Sequence, residues 1–113
     1  MTKRYTVQLS RSAERDLADI AGYLAQAASP VIASAFLDTM LERIAELEQF
    51  PERGAVPREL DALGISSFRQ LSAKPWRIIY RTSEKTVIIM LVADGRRDMQ
   101  TLLEQRLLRT KIL

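Results

Sequence analysis

Residues 68–94 read FRQLSAKPWRIIYRTSEKTVIIMLVAD, and most of the predicted sheet lies in this segment. Its β-branched and aromatic residues predict three strands, the first two joined by a turn at Ala73-Lys74-Pro75. The run TVIIMLVAD is apolar on both faces, which is typical of a strand at the centre of a sheet. A shorter alternation from Arg4 to Leu9 predicts one further strand before this region.

Two helices are predicted between these strand regions. Apolar residues recur at three- and four-residue spacing from Ala13 to Ala28, with Ser12 as the expected N-cap. Ser29-Pro30 begins a second helix, because Ser can cap it and Pro suits its first position, and Phe50-Pro51 ends it. So tight a connection predicts an antiparallel helical hairpin.

The remaining segments complete one domain. Residues 51–66 predict an irregular connection, with one helical turn around Glu59 to Leu63. Asp98 can cap a final helix. The apolar face of that helix consists of Met99, Leu102, Leu103 and Leu107. The order β-α-α-β-β-β-α predicts the α+β class, with the helical hairpin packed on one face of a small, mainly antiparallel sheet, and a single domain over residues 1–113.

The composition narrows the possible chemistry. The chain has 113 residues, 47% of them hydrophobic, and a net charge of +3, so burial can stabilise one compact domain. It contains no Cys and no His, which excludes thiolate nucleophiles, Ser-His-Asp triads and metal sites built on Cys or His. We therefore expect neither a metal nor a cofactor. No apolar run reaches the roughly 18 residues of a membrane span, and the first residues lack a secretory signal, so we expect a cytoplasmic protein without membrane contact.

Charge is divided unevenly along the chain. Residues 12–50 carry two basic and seven acidic side chains, whereas residues 68–113 carry ten basic and four acidic ones. The predicted hairpin is therefore acidic and the C-terminal half is basic. The basic half is the region in which we look for function.

One predicted strand separates an apolar face from a basic one. In WRIIYR, residues 76–81, the side chains of Trp76, Ile78 and Tyr80 alternate with those of Arg77 and Arg81. If the aromatic side packs on the hairpin, the arginines line the opposite face of the sheet.

Neighbouring arginines could extend this basic face into a cationic concavity. The further members are Arg69, Arg96 and Arg97. A guanidinium donates two parallel hydrogen bonds, which suits phosphate or carboxylate recognition. The alternative, which composition alone favours, is a solvated face whose arginines pair with acids of the same region. These acids are Glu84, Asp94 and Asp98.

The predicted helices and sheet offer more apolar surface than one small core obviously needs. Two interpretations stay open. Either a groove remains for a helix of a partner, or the final helix of this chain fills that groove.

The order of these motifs resembles the RelE/ParE superfamily of toxins from bacterial type II toxin-antitoxin modules. The resemblance rests on the SP between the two helices, on FPERG at the end of the hairpin, and on WRIIYR and GRRDMQTLLEQRL in the basic half. It runs from Tyr5 to about Arg109. It implies the fold described above and a toxin held inactive by an antitoxin whose C-terminal segment wraps it.

The superfamily contains two activities. The RelE branch implies a ribosome-dependent endoribonuclease that cuts mRNA with Lys, Arg and Tyr, or with Glu and His. The ParE branch implies a poison of DNA gyrase with no hydrolytic site of its own. Here the C-terminal stretch MQTLLEQRLL contains neither Tyr nor His, and the lysine pair of RelE is not evident. General acid and base groups for RNA cleavage are therefore hard to assign.

The resemblance thus favours a ParE-like toxin of a plasmid-stabilisation module, a gyrase inhibitor and not an enzyme. The expected partners are a ParD-like or related antitoxin and DNA gyrase, with operator DNA bound only through the antitoxin. Residues of the basic half are expected to carry toxicity and partner binding. They are Arg77, Arg81, Arg96, Arg97, Leu103, Arg106 and Leu107.

Two alternatives remain. The first is a RelE-like mRNA interferase acting on the ribosome, with catalytic residues Arg69, Arg77, Tyr80 and Arg97. The second is a non-toxic binding module of the same fold.

The basic half also predicts the chemistry of the antitoxin. We expect an amphipathic helix and an extended segment whose acidic residues face Arg77, Arg81 and Arg96. Its apolar contacts should fall on the hairpin and on the final strand.

Overall fold

The computed structural model describes residues 4–108. Its strands are β1 (Thr6–Leu9), β2 (Arg69–Ala73), β3 (Trp76–Ser83) and β4 (Thr86–Asp94). Its α-helices are α1 (Arg11–Ala27), α2 (Pro30–Ala45), α3 (Arg58–Asp61) and α4 (Met99–Leu103). A 3₁₀ turn, Glu46–Glu48, continues α2, and a π-helical segment, Glu104–Leu108, continues α4. Arg109, where the family resemblance ends, lies outside the described residues. No helix within residues 4–108 combines the length and the apolar character needed to cross a membrane.

The four strands form one sheet in the order β1-β4-β3-β2. β1 runs parallel to β4, and the other neighbours are antiparallel, so the predicted mainly antiparallel α+β sheet is confirmed. β4 lies between β1 and β3, as its two apolar faces require. The register opposes Ile79 to Leu91 and Tyr80 to Ile89, which leaves Met90 as the extra residue of a β-bulge.

Helices cover both faces of the sheet. α1 and α2 pack on one face around a first core that includes Phe36, Met40 and Tyr80. α3, α4 and the π-helical segment cover the other face, around a second core that includes Leu60 and Ile79. The hairpin packs as predicted. Because α4 lies on the opposite face, the final helix does not fill a groove beside the hairpin.

Side-chain caps fix the starts of three helices. Ser29 Oγ accepts a hydrogen bond from the backbone N–H of Ile32 at 3.1 Å, and Asp98 Oδ1 accepts one from that of Thr101 at 3.1 Å, as predicted. The prediction for α1 is wrong by two residues, because Ser10 is its cap, with Oγ 3.1 Å from the nitrogen of Ala13. The backbone N–H of Ser10 also donates to Ile89 at 3.0 Å, so β1 passes into α1 without a loop.

Candidate functional site

Arg77, on β3, is held by two side chains of the protein itself. Nη1 donates to Glu59 Oε2 and Nη2 donates to Glu59 Oε1, both at 2.9 Å. Nε donates to Gln70 Oε1 at 2.8 Å. The side chains of Arg77 and Glu59 are only 13% and 15% exposed. The charge of this arginine is therefore compensated inside the protein, and the carboxylate comes from the short helix α3 instead of the acids predicted from the sequence.

The same contact changes the titration of Glu59. Its hydrogen bonds from Arg77 lower its pKa from 4.5 to about 2, against the opposing effect of burial. The carboxylate is thus ionised over the whole physiological range.

We expect Glu59→Gln to be less stable than the wild type by about 1 to 2 kcal/mol at neutral pH. The folded pKa lies below the unfolded one, so this advantage of the wild type is complete above about pH 4.5 and fades as the pH falls toward 2. Chemical unfolding of both proteins across this pH range measures the difference in their free energies of unfolding. If this difference is the same at all pH values, the ionised pair of Glu59 and Arg77 is not its cause.

Arg69 and Tyr80 anchor the loop that precedes α3. The Tyr80 hydroxyl accepts a hydrogen bond from the backbone N–H of Gly54 at 2.9 Å, and Arg69 Nη1 donates to the Gly54 carbonyl at 2.7 Å. Tyr80 is fully buried in the first core, and burial raises the pKa of its hydroxyl. The structure therefore does not bring Tyr80 to the face that carries Arg77, and the four residues of the ribonuclease alternative do not form one exposed site.

Arg106 holds the C-terminal segment against α1 and the edge of β4. Its Nη1 and Nη2 donate to the two carboxylate oxygens of Asp16, both at 3.0 Å, and Nη2 also donates to the carbonyl of Met90 at 3.1 Å. Asp16 Oδ2 accepts from the backbone N–H of Val92 at 3.0 Å. β1 pairs with β4 only as far as Ile89, so Asp16 and Arg106 satisfy strand-edge groups that β1 does not reach.

The remaining predicted residues differ in their availability. Leu103 and Leu107 lie in the second core, 0% and 8% exposed, so a partner can reach them only if α4 and the π-helical segment leave the sheet. Arg96 is exposed but pairs with Asp94, its Nη2 lying 2.7 Å from Oδ2. Two others, Arg81 and Arg97, make no ion pair within the described part of the chain.

An apolar groove lies on the hairpin side of the molecule. It has a volume of about 510 Å³ and runs between the hairpin and the turn that joins β2 to β3. Its apolar walls are Leu24, Ile32, Phe36, Met40 and Trp76. Arg43 and Lys74 also line it. The groove keeps open the interpretation that the hairpin receives a helix of a partner.

Sequence reasoning named one partner correctly, since Asp94 pairs with Arg96, but it missed the partners of Arg69, Arg77 and Arg106. The sequence places Glu59 only in a helical turn, and nothing singles out Gln70 or Gly54, because their contacts join distant parts of the chain. Asp16 alone carried a signal. It follows Ala13 by three residues and precedes Leu17, and both of these are buried, so its side chain lies near the inner side of α1.

Fold and site together define a class of small α+β proteins. In this one, Glu59 occupies the guanidinium of Arg77, and an open apolar groove is large enough for part of another protein. Within residues 4–108 no group of acidic side chains could hold a metal ion. The chain belongs to the ParE toxin family, whose model, described as the ParE toxin of the type II toxin-antitoxin system parDE, matches residues 7–99. It is thus a toxin of the RelE/ParE superfamily, which confirms the resemblance seen in the sequence.

Solved structures share the fold. A chain of the chromosomal ParDE toxin-antitoxin system from P. aeruginosa is 19% identical, with a TM-score of 0.66 over 80% of this chain and 96% of that one. A chain of the toxin-antitoxin complex RelBE2 from Mycobacterium tuberculosis is 23% identical, with a TM-score of 0.53 over 83% of this chain and 94% of that one. At these identities the likeness shows the fold alone. A comparison with curated proteins finds no significant match.

Proposed function

We propose that this toxin acts in the cytoplasm by binding and inhibiting DNA gyrase, without cleaving RNA, and that a cognate antitoxin neutralises it. The proposal rests on the contacts of two residues of the ribonuclease alternative, Tyr80 and Arg77. The Tyr80 hydroxyl is buried against Gly54, and the Arg77 guanidinium is occupied by Glu59. Both groups are thus engaged within the protein itself, which speaks against a role in proton transfer or phosphate binding, and membership of the ParE family supports a protein target.

A supercoiling assay with purified toxin and gyrase tests the target. We expect supercoiling of relaxed plasmid to be inhibited and cleaved DNA to be trapped on gyrase. Arg97→Ala removes an exposed basic side chain of the predicted toxicity set and should weaken the inhibition, whereas Arg11→Ala, the same change at the exposed start of α1, should not. Undisturbed supercoiling without a trapped complex contradicts the proposal.

The alternatives give different results in parallel assays. Codon-specific cuts in mRNA on translating ribosomes, lost in Arg77→Ala, would point to an interferase. Antitoxin binding without any inhibition of bacterial growth would point to a non-toxic binding module.

The groove is the proposed site of the antitoxin, which would lay the apolar face of an amphipathic helix in it. Ile32 lines the groove and is 49% exposed, so its side chain is available to a partner. Arg77 and Arg96 already have carboxylates of this chain beside them. The acidic part of the antitoxin is therefore proposed to face Arg81 and Arg97 instead, and operator DNA is proposed to be bound only through the antitoxin.

We expect Ile32→Glu to weaken antitoxin binding by about a hundredfold, because it buries a charge in an apolar interface. The matched control is Val31→Glu, the same charge at the preceding residue, which is 76% exposed and does not line the groove. Titration with antitoxin can be followed by the fluorescence of Trp76, the only tryptophan of the chain. Equal affinities of the two variants would place the antitoxin elsewhere.

A further inference from the structure

A polar cleft lies beside Arg77, on the side of the sheet away from the hairpin groove. It has a volume of about 300 Å³ and is lined by Val56, Arg58, Gln70, Arg77 and Gly95. Two arginines line it, and the charge of one of them, Arg77, is compensated by Glu59. Gly95 allows the side chain of Arg77 to take its place in the cleft, because a Cβ at position 95 would lie 2.8 Å from Cδ of Arg77. The glycine thus lets the arginine stem lie flat against the end of β4.

The donors that Arg77 could offer to a phosphate in this cleft are already in use. Arg77 directs both terminal nitrogens to the two oxygens of Glu59, which is the fork geometry that guanidinium groups use for phosphate as well as for carboxylate. Its Nε donates to Gln70, which orients the guanidinium plane. Glu59 thus occupies the position in which an oxyanion would bind.

Glu59 is held in this position by the packing of its neighbours. Leu60 and Pro57 are fully buried, and the N–H of Leu60 donates to the Pro57 carbonyl at 3.0 Å. The backbone of α3 therefore cannot swing away from the sheet without exposing part of the second core. A carboxylate tethered this closely acts at a high effective concentration, and free oxyanions compete with it poorly.

We infer that Glu59 is a specificity-determining residue, which closes an otherwise complete phosphate site at Arg77 and so keeps nucleic-acid phosphates off this face of a basic protein. This choice of ligand at one cleft does not depend on gyrase being the target. Removing the charge of Glu59 leaves two arginines, Arg58 and Arg77, lining the cleft without the carboxylate that pairs with Arg77. The cleft then attracts a phosphate by charge and meets it with the fork of Arg77.

The test compares Glu59→Gln with Asp61→Asn, which removes the same charge from an exposed position of the same helix. Inorganic phosphate is titrated at constant ionic strength and followed by the NMR signal of Arg77 Nε. Binding of a short single-stranded RNA of mixed sequence is followed by fluorescence anisotropy. We expect Glu59→Gln to bind both probes about tenfold more tightly than the wild type, since a charge-assisted hydrogen bond becomes available. Asp61→Asn should bind like the wild type.

A second substitution locates the gain. Glu59→Gln combined with Arg77→Met should return both affinities to the wild-type level. If Glu59→Gln binds no better than Asp61→Asn, or if the double variant keeps the gain, the inference is overturned. Thermal unfolding verifies that each variant is folded, and Glu59→Ala replaces Glu59→Gln if the latter is not. Supercoiling inhibition by the wild type is measured separately, so failure of this inference and failure of the gyrase proposal are distinguishable.

Discussion

Gly54→Ala should lower the free energy of unfolding by about 3 kcal/mol and the melting temperature by about 10 °C or more. A Cβ at this position would lie 2.4 Å from the carbonyl oxygen of Gln70 and 2.8 Å from the hydroxyl of Tyr80. The first of these atoms belongs to the backbone of β2, so it cannot rotate away. Relief requires the loop to move from the sheet, which breaks the hydrogen bond between Gly54 and Tyr80.

Two other substitutions separate the causes of this loss. Tyr80→Phe removes the acceptor of the Gly54 N–H without adding an atom, and it should cost about 1 to 2 kcal/mol. Gly22→Ala is the matched control, since a Cβ at Gly22, within α1, meets no atom within 4 Å. It should stabilise the protein by about 0.5 to 1 kcal/mol through helix propensity. Denaturant unfolding measures all three, and a Gly54→Ala protein as stable as the wild type would contradict the close packing of this loop.

The loop around Gly54 also marks the limit of prediction from the sequence. Strands β2, β3 and β4 were predictable, because their alternation and the turn at Ala73-Lys74-Pro75 are local signals. The path of residues 51–57 is set by Arg69 and Tyr80, which lie 15 and 26 residues after Gly54. Contacts of this kind produce no periodic pattern in the sequence of the loop. Alternation correctly placed Tyr80 on one face with Trp76 and Ile78, and the structure packs this face on the hairpin. Its use as a catalytic candidate does not agree with that placement.

The cap of α1 shows the same limit on a smaller scale. Ser10 and Ser12 are equally good caps by residue type, and the charges that follow them suit either start. The choice is made by a tertiary contact, the hydrogen bond from the Ser10 N–H to the carbonyl of Ile89 in β4. Ser29 was predictable because Pro30 fixes the first helical position without help from another element.

Asp16→Ala should have the other large effect, a loss of about 3 kcal/mol or more in the free energy of unfolding. The Asp16 side chain is 17% exposed. Its carboxylate accepts hydrogen bonds from both terminal nitrogens of Arg106 and from the backbone N–H of Val92. Its removal leaves a partly buried guanidinium without its counter-ion and a strand-edge N–H without an acceptor. Both losses fall where β1 has ended and no neighbouring strand can replace the bonds.

Asp16→Asn divides the two contributions. An amide oxygen can still accept from Val92, but the charge that holds Arg106 is gone, so about half of the loss should remain. The control is Asp19→Ala, which removes the same charge one turn later on α1, from an exposed side chain with no hydrogen bond in the described part of the chain. Its effect should stay within about 0.5 kcal/mol.

Hydrogen exchange shows whether the loss is local or global. Since Arg106 ties the C-terminal segment to α1, amides of residues 99–108 should exchange faster in Asp16→Ala, and more so than those of α2. Such a result would also show how a partner could reach Leu103 and Leu107, which are buried while α4 lies on the sheet. If Asp16→Ala and Asp19→Ala are equally stable, with equal exchange in the C-terminal segment, the ion pair does not hold that segment. The adherence of α4 would then rest on the apolar contacts of the second core alone.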